Sequence, residues 1–346
     1  MKNLPVFFFG SSRFSVYVLK EFIKKYKPLL IITNQAKPAG RGLKIKLNEV
    51  YSFCLQHKLE VIELPNTSQN HQNQQQNKQT TFNNKNNHHN ANTEQWQNIK
   101  LIINQIQPLA GIVAAFSKII PKNIIDLFPK GIINVHPSLL PKYRGPNPLR
   151  ETILQGDNES GITIFKIDEL IDHGPIIVQE KYKLKANITY EELELELGIL
   201  GGKTLTEIIE NYLYKDIELK KQNDDLATYT KKLKKDDGFL NLTDDFEIWN
   251  KKIRAYNPWP GTFIKINDKI LKIFSIEKLP DNFLKKDIKD KTQTGQFFTF
   301  KNNLCLKLKD AYIILQKVQL ENRKIMSGKE FLNGFRKLIF NSSDKN

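Results

Sequence analysis

The chain has 346 residues, 40% of them hydrophobic, with 53 Lys+Arg against 37 Asp+Glu and a formal net charge of +16. That length accommodates two domains with substantial cores, and no run approaches the roughly 18 apolar residues of a membrane span, so no membrane span is expected. Cys54 and Cys305 are the only cysteines, which excludes a disulfide framework and a CxxC metal knuckle and makes the cytoplasm the expected compartment.

The positive excess is uneven: residues 211–346 hold 28 Lys+Arg and 18 Asp+Glu, and residues 1–210 hold 25 and 19. Concentration of charge in the smaller part is expected of contact with a polyanion. A Lys- and Asn-rich composition from an AT-rich coding sequence produces the same excess without a partner.

In chain order, Pro5 to Phe9 is an apolar run closed by Gly10, Ser11 and Ser12, and Phe14, Val18, Leu19 and Phe22 then recur at helical spacing. One Lys precedes the run, but it is short and no small-x-small site follows, so it reads as a buried first strand rather than a signal peptide. Leu29 to Thr33 completes a βαβ unit. The turn lacks GxGxxG, so no dinucleotide is expected there. From Thr33 to Lys46, Pro38, Gly40 and Gly42 break regular structure among Lys37, Arg41, Lys44 and Lys46, predicting an exposed basic loop that is neither helix nor strand. Such a loop is either a solvated connection or a track for a phosphate backbone, with Arg41 able to bind bidentately.

A helix is expected from about Lys46 to His57 and a strand from Glu60 to Glu63. Residues 66–92 are almost entirely Asn, Gln, His, Thr and Lys, with Phe82 as the one aromatic residue, and this composition predicts a disordered insertion. His71, His88 and His89 lie in it without cysteines, carboxylates or fixed spacing, so no metal site is expected. Order resumes at Glu94: Trp96, Ile99, Ile102, Ile103 and Ile106 mark a helix stopped by Pro108, followed by a strand from Gly111 to Ala115, a short helix from Pro121 to Leu127 and a strand from Gly131 to Val135. Alternating buried strands and helices predict a parallel α/β sheet.

Within residues 132–177, Asn134 and His136 are two apart at a strand end and share a face. Asp172 follows on a later loop, expected to be brought adjacent by the ends of parallel strands. An amide and an imidazole together polarise a carbonyl and hold an oxyanion, and a carboxylate beside them stabilises imidazolium and accepts a proton. By themselves these residues fit many acyl or proton transfers. Further on, Thr189 and Glu192 form a capping box opening a helix to about Tyr214, and a polar linker over the surface follows. Short β-type runs at Phe263 to Ile266, Ile270 to Ile276, Phe297 to Phe300, Leu304 to Leu308 and Tyr312 to Val318 predict a small antiparallel barrel, closed by a helix capped at Ser327 and Glu330.

The segments NVHPSLLPKYRGPNP and GITIFKIDELIDHGPII resemble the signature of the folate-dependent formyltransferases, which pass a formyl group from 10-formyltetrahydrofolate to an amine. Two further features are similar to the branch acting on methionyl-tRNA, the loop Lys37 to Gly42 and the segment Ile253 to Gly261, and with Ala227-Thr228-Tyr229 and Met326-Ser327 the resemblance spans nearly the whole chain except the insertion. The resemblance implies an α/β chain. Its formyltransferase domain at residues 1–214 has a Rossmann-like, mostly parallel sheet and carries the Asn/Gln-rich insertion 66–92; a basic linker at 215–235 leads to an OB-like antiparallel β-barrel tRNA-binding domain at 236–346. It further implies formyl transfer to the α-amine of methionylated initiator tRNA by a metal-free, cytoplasmic monomer. Asn134, His136 and Asp172 then correspond to the catalytic residues. Ser138, Leu139, Leu140 and Pro141, with Val113 and Phe116, correspond to the folate site, and Lys37, Arg41, Lys44 and Lys46 to the tRNA contact. The chain departs from the usual Tyr-Gly at Phe116-Ser117 and from Gln-Pro-Asp at Asn34-Gln35-Ala36.

Overall fold

In β1 (Lys2–Gly10) Leu4 and every residue from Val6 to Phe9 are fully buried, so both faces of the strand are covered, as a central parallel strand requires. The computed structural model describes residues 1–39, 44–65, 87–280 and 292–340. By contact the chain forms two compact units: residues 1–145, 159–183 and 193–229 in the first, and 146–158, 184–192 and 230–346 in the second.

The first unit is built on a seven-stranded sheet in the order β5-β2-β1-β6-β7-β8-β9. Its strands are β1, β2 (Tyr26–Asn34), β5 (Val61–Leu64), β6 (Ala110–Ala114), β7 (Ile132–His136), β8 (Glu159–Lys166) and β9 (Ile176–Lys183). Pairing is parallel from β5 to β7 and antiparallel at β7/β8 and β8/β9. On one face, Phe7 and Phe9 meet Phe128 edge-on and pack with Trp96, Ile99 and Ile103 of α3 (Asn87–Ile106). On the other lie α1 (Arg13–Phe22) and α6 (Tyr190–Tyr214). A Cβ on Gly201 of α6 would stand 2.7 Å from Val135 Cγ1, so this helix reaches β7 only because glycine is there.

Local chemistry sets most boundaries. Ser12 caps α1 in a capping box with Ser15, whose hydroxyl also donates to the Ala114 carbonyl at 2.6 Å. Asn48 caps α2 (Glu49–His57), which starts three residues later than expected because β4 (Lys44–Lys46) precedes it. The basic loop is not irregular: β3 (Lys37–Ala39) pairs antiparallel with β4, with Pro38 opposite Ile45. A two-stranded ribbon has only edge strands, so a proline without an N–H is tolerated. Gly40 to Leu43, Arg41 included, lie outside the described residues, as do residues 66–86 of the expected insertion. From Asn87 that stretch is already helical, seven residues before the expected start. Once Trp96, Ile99 and Ile103 anchor a helix, each added residue gains a hydrogen bond without a new nucleus.

The stretch after Tyr214 runs over the surface, with Gln222 the one buried residue of 215–229, and it bonds to the first unit. Lys220 and Ile176 exchange backbone hydrogen bonds of 2.8 Å in both directions, and Gln222 is buried. An amide side chain with four polar positions to satisfy gives a polar segment reason to be inside.

The second unit carries an antiparallel sheet in the order β10-β11-β14-β13-β12, with β15 on β14. These are β10 (Thr262–Ile266), β11 (Lys269–Lys278), β12 (Phe297–Phe300), β13 (Asn303–Lys307), β14 (Tyr312–Leu320) and β15 (Met326–Ser327). Its core gathers Trp249 and Ile253 of α7 (Phe246–Tyr256), Leu271, Ile273, Leu306, Leu315 and Phe331 of α8 (Gly328–Ile339). α8 opens with the expected Ser327–Glu330 box. In the same unit α5 (Pro148–Gln155) packs on α7, and Arg150 stacks 3.6 Å from the Tyr190 ring centroid.

No described helix is long and apolar enough to cross a membrane, and no group of three His, Cys, Asp or Glu among the described residues suits a metal. Burial pushes both cysteine thiols up to about 12. Neither Cys54 nor Cys305 should therefore be alkylated at about pH 8 in the folded protein, with both labelled once denaturant unfolds it, as mass spectrometry would record.

Candidate active site

β7 presents Asn134 and His136 on one face, opposite to Val135 and the helix beneath it. Asp172 does not arrive as the end of a parallel neighbour. β8 runs antiparallel to β7, and its exit is bonded back at Ile167 N to Ile132 O, 2.8 Å. The loop to β9 is pinched shut by Lys166 N to Pro175 O, 3.0 Å, and a Cβ on Gly174 would sit 1.8 Å from the Lys166 carbonyl oxygen. Only glycine allows that closure, and the closed loop folds over the β7 face with Asp172 above Asn134 and His136.

The Asp172 carboxylate is the meeting point. Gly145 N–H donates to Oδ2 at 2.7 Å, Asn134 Nδ2 lies 3.5 Å from Oδ1, and His136 Nδ1 lies 3.7 Å from Oδ2. His136 Nε2 is 3.1 Å from the Tyr143 carbonyl, which can only accept, so Nε2 carries a hydrogen and Nδ1 is the atom turned to Asp172. The histidine and aspartate side chains are 5% and 16% exposed, which strengthens their interaction relative to water. The two longer distances leave Asn134 and His136 loosely held, as catalytic groups often are without a bound reactant. Asp172 has φ +48° and Tyr143 φ +65°, both left-handed, a conformation costing roughly 1–2 kcal/mol per non-glycine residue. Such strain persists only where surrounding contacts impose it.

Those contacts come from residues the sequence reading did not place in the site. Arg144 is 1% exposed; its guanidinium donates twice to Gln222 Oε1, at 2.8 and 3.1 Å, to Asp224 Oδ1 at 2.8 Å and to the Tyr229 hydroxyl at 3.1 Å. Burial pulls the Arg144 pKa down, but the bonds to Asp224 and Tyr229 raise it overall, and the side chain stays charged. Gln222 Nε2 donates to the Asp172 and Gly174 carbonyls at 3.0 and 2.8 Å. Thr228 accepts from Tyr143 N at 2.8 Å through its hydroxyl and from Arg144 N at 2.8 Å through its carbonyl. Arg144 and Ala227-Thr228-Tyr229 stood inside family-like motifs, but nothing in the sequence joined them.

Ser138 to Pro141 follow directly on His136. Ser138 is buried and its hydroxyl donates to the Lys142 carbonyl at 2.6 Å; Leu140 N donates to Thr163 Oγ1 at 3.0 Å, and Leu140 packs with Phe165 and Ile176. Val113 is in register with Asn134 on β6 and is buried in the core with Phe116 at its edge. A separate cavity of about 400 Å³ at the ends of β1, β2 and β6 is lined by Ser11, Asn34, Asn48 and Ser117, among others, and by none of Asn134, His136 or Asp172. There the two departures from the family pattern touch: Asn34 Nδ2 donates to Ser117 Oγ at 2.8 Å. For Lys37, Lys44 and Lys46 the backbone ribbon is described, and Arg41 lies outside the described residues.

The formyl transferase family model matches residues 2–209, and the model of the formyl transferase C-terminal domain matches 232–336. Methionyl-tRNA formyltransferase of Buchnera aphidicola is 30% identical over 336 residues, 96% of each chain. The structure of methionyl-tRNA formyltransferase from Clostridium thermocellum superposes with a TM-score of 0.50 at 18% identity, over 81% of this chain and 94% of that one. HypX from Aquifex aeolicus in complex with tetrahydrofolic acid gives 0.59 at 14% identity, over 97% and 47%.

Arg144→Met would leave the Gln222 oxygen buried without its donor, so unfolding stability should fall by about 1–3 kcal/mol, read as a lower urea midpoint at unchanged slope. The Asp224 carboxyl is held below the usual carboxylate range by its hydrogen bond from Arg144. Its contribution is complete above the ordinary carboxylate pKa and is lost as pH falls through the depressed folded value, so Asp224→Asn should flatten the acid limb of stability against pH.

Proposed function

Since the chain belongs to the formyl transferase family, which its matches to both domains of that family establish, we propose that it transfers a formyl group from 10-formyltetrahydrofolate to the α-amine of methionylated initiator tRNA, giving formylmethionyl-tRNA for translation initiation. The observation that carries this reading is the convergence of Asn134 Nδ2 and His136 Nδ1 on the Asp172 carboxylate, 3.5 and 3.7 Å away. Relatives named for formylation of methionyl-tRNA, matching end to end, support the choice of acceptor.

The donor set fits a folate carrying a formyl group. Among the described residues Asn134 offers an amide N–H with no bond closer than 3.5 Å, and the turn after His136 is already built and buried, so little ordering remains to be done on binding. Ser138, Leu139, Leu140 and Pro141, with Val113 and Phe116, would hold it. When bound, the folate supplies the formyl carbon as electrophile. Asn134 donates to the formyl oxygen and stabilises the negative charge that develops there as the amine attacks. Asp172, held with one oxygen on Gly145 N–H, would accept the proton released by the amine and return it to the folate nitrogen as that nitrogen's bond to the formyl carbon breaks and tetrahydrofolate leaves. His136 keeps Nε2 on the Tyr143 carbonyl and shares the proton at Nδ1 with Asp172, which places positive charge beside the oxygen. Its contribution is electrostatic rather than a second direct donor, because Nε2 is already committed. No step calls for a metal.

The ribbon bearing Lys37, Lys44 and Lys46, with Arg41 between its strands, supplies cations for the tRNA backbone. Purified protein should formylate methionyl-tRNA with 10-formyltetrahydrofolate, and Asn134→Ala or Asp172→Ala should reduce kcat by about 10²-fold or more while tRNA binding persists. Binding of tRNA by wild type without any formyl transfer would sink the enzyme reading. Arg41→Ala should raise KM for tRNA and reduce the salt slope of binding by about 1, with folate affinity unchanged; an unchanged tRNA KM would return the loop to a plain connection.

A further inference from the structure

Gln222 lies in a segment whose composition reads as linker, yet it is 5% exposed and bonded to both halves of the site. Its Oε1 accepts from Arg144 Nε at 3.1 Å and Nη2 at 2.8 Å, and its Nε2 donates to the carbonyls of Asp172 at 3.0 Å and Gly174 at 2.8 Å. The amide orientation follows from chemistry: a guanidinium only donates and a backbone carbonyl only accepts, so a flipped amide would set donor against donor and acceptor against acceptor. One carboxamide thus joins the segment carrying Gly145, whose N–H holds the Asp172 carboxylate at 2.7 Å, to the backbone of Asp172 itself. That backbone is left-handed, with φ +48°, and the two bonds from Gln222 fall on its carbonyl and on that of Gly174, within the loop that must stay closed.

We infer that Gln222 is a positioning residue for the transfer reaction: it sets the reach of Asp172 toward the reacting amine by clamping the Asp172 and Gly174 carbonyls to the buried Arg144 guanidinium. This rests on the formyl-transfer reading above. Glutamine suits the task because no other neutral side chain of this length both accepts from a guanidinium and donates to two carbonyls. Glutamate keeps the acceptor toward Arg144 and gains an ion pair, but turns its second oxygen, an acceptor, on the two carbonyls. The loop must then move away from it. A displacement of about 1 Å at a catalytic group costs up to about 10²-fold in rate.

The test compares wild type, Gln222→Glu and Gln222→Met with methionyl-tRNA and 10-formyltetrahydrofolate. Wild-type turnover is measured first, and its absence would overturn the formyl-transfer reading, not the clamp. With wild type active, kcat of both variants should fall about 10- to 100-fold, with each KM within about twofold, while Gln222→Glu keeps a higher thermal midpoint than Gln222→Met because Arg144 stays paired. A residue serving only to satisfy Arg144 would give the opposite pattern: full kcat in Gln222→Glu and loss only in Gln222→Met. That result, or a loss carried entirely by KM, would overturn the inference.

Discussion

A guanidinium with 1% of its surface in contact with solvent has to find its partners inside the protein, and the site is arranged around that requirement for Arg144. Gln222, Asp224 and Tyr229 meet it, which draws residues 222–229 against the turn that follows β7. Thr228 then bonds the backbone on either side, at Tyr143 N and Arg144 N. This geometry leaves the Tyr143 carbonyl on His136 and the Gly145 N–H on Asp172. A single buried charge therefore sets the orientation of an imidazole and a carboxylate it does not itself touch.

The second constraint is the change of strand direction at β8. Were the sheet parallel throughout, the connection after β7 would have to cross over and the loop after β8 would emerge beside the end of β7. Because β7/β8 is antiparallel, that loop instead starts beside Ile132, at the opposite end of β7, and must fold back over the sheet face to reach His136. Gly174 makes the fold possible by letting the chain pass against the Lys166 carbonyl. Beneath the strand Gly201 lets α6 lie against Val135, so β7 is held from below while its upper face is kept for polar groups.

Ser138 and Leu140 use their polar groups to build the turn, and Val113 belongs to the apolar core beside Asn134. The basic segment, expected to be irregular, forms a two-stranded ribbon in which Lys37 to Ala39 pair antiparallel with Lys44 to Lys46. Asn34 and Ser117, separate departures from the family pattern in sequence, share one hydrogen bond in space.

Local rules were enough to locate β1, β2, β5, β6, β7, α1 and α6, the Ser327–Glu330 and Thr189–Glu192 caps and the shared face of Asn134 and His136, because each depends on residues within a few positions of one another, but they missed the ribbon of β3 and β4. The motifs around 134–148 and 161–177 likewise pointed to formyl transfer from residue identity alone. What tertiary structure decided was everything that depends on long-range pairing: the antiparallel turn at β8 that brings Asp172 over β7, and the approach of Gln222 to Arg144, 78 residues apart in the chain. A polar stretch such as 215–229 carries no periodicity that distinguishes a solvated linker from a strap. Only the buried charge it has to satisfy, invisible until the chain is folded, makes it part of the site.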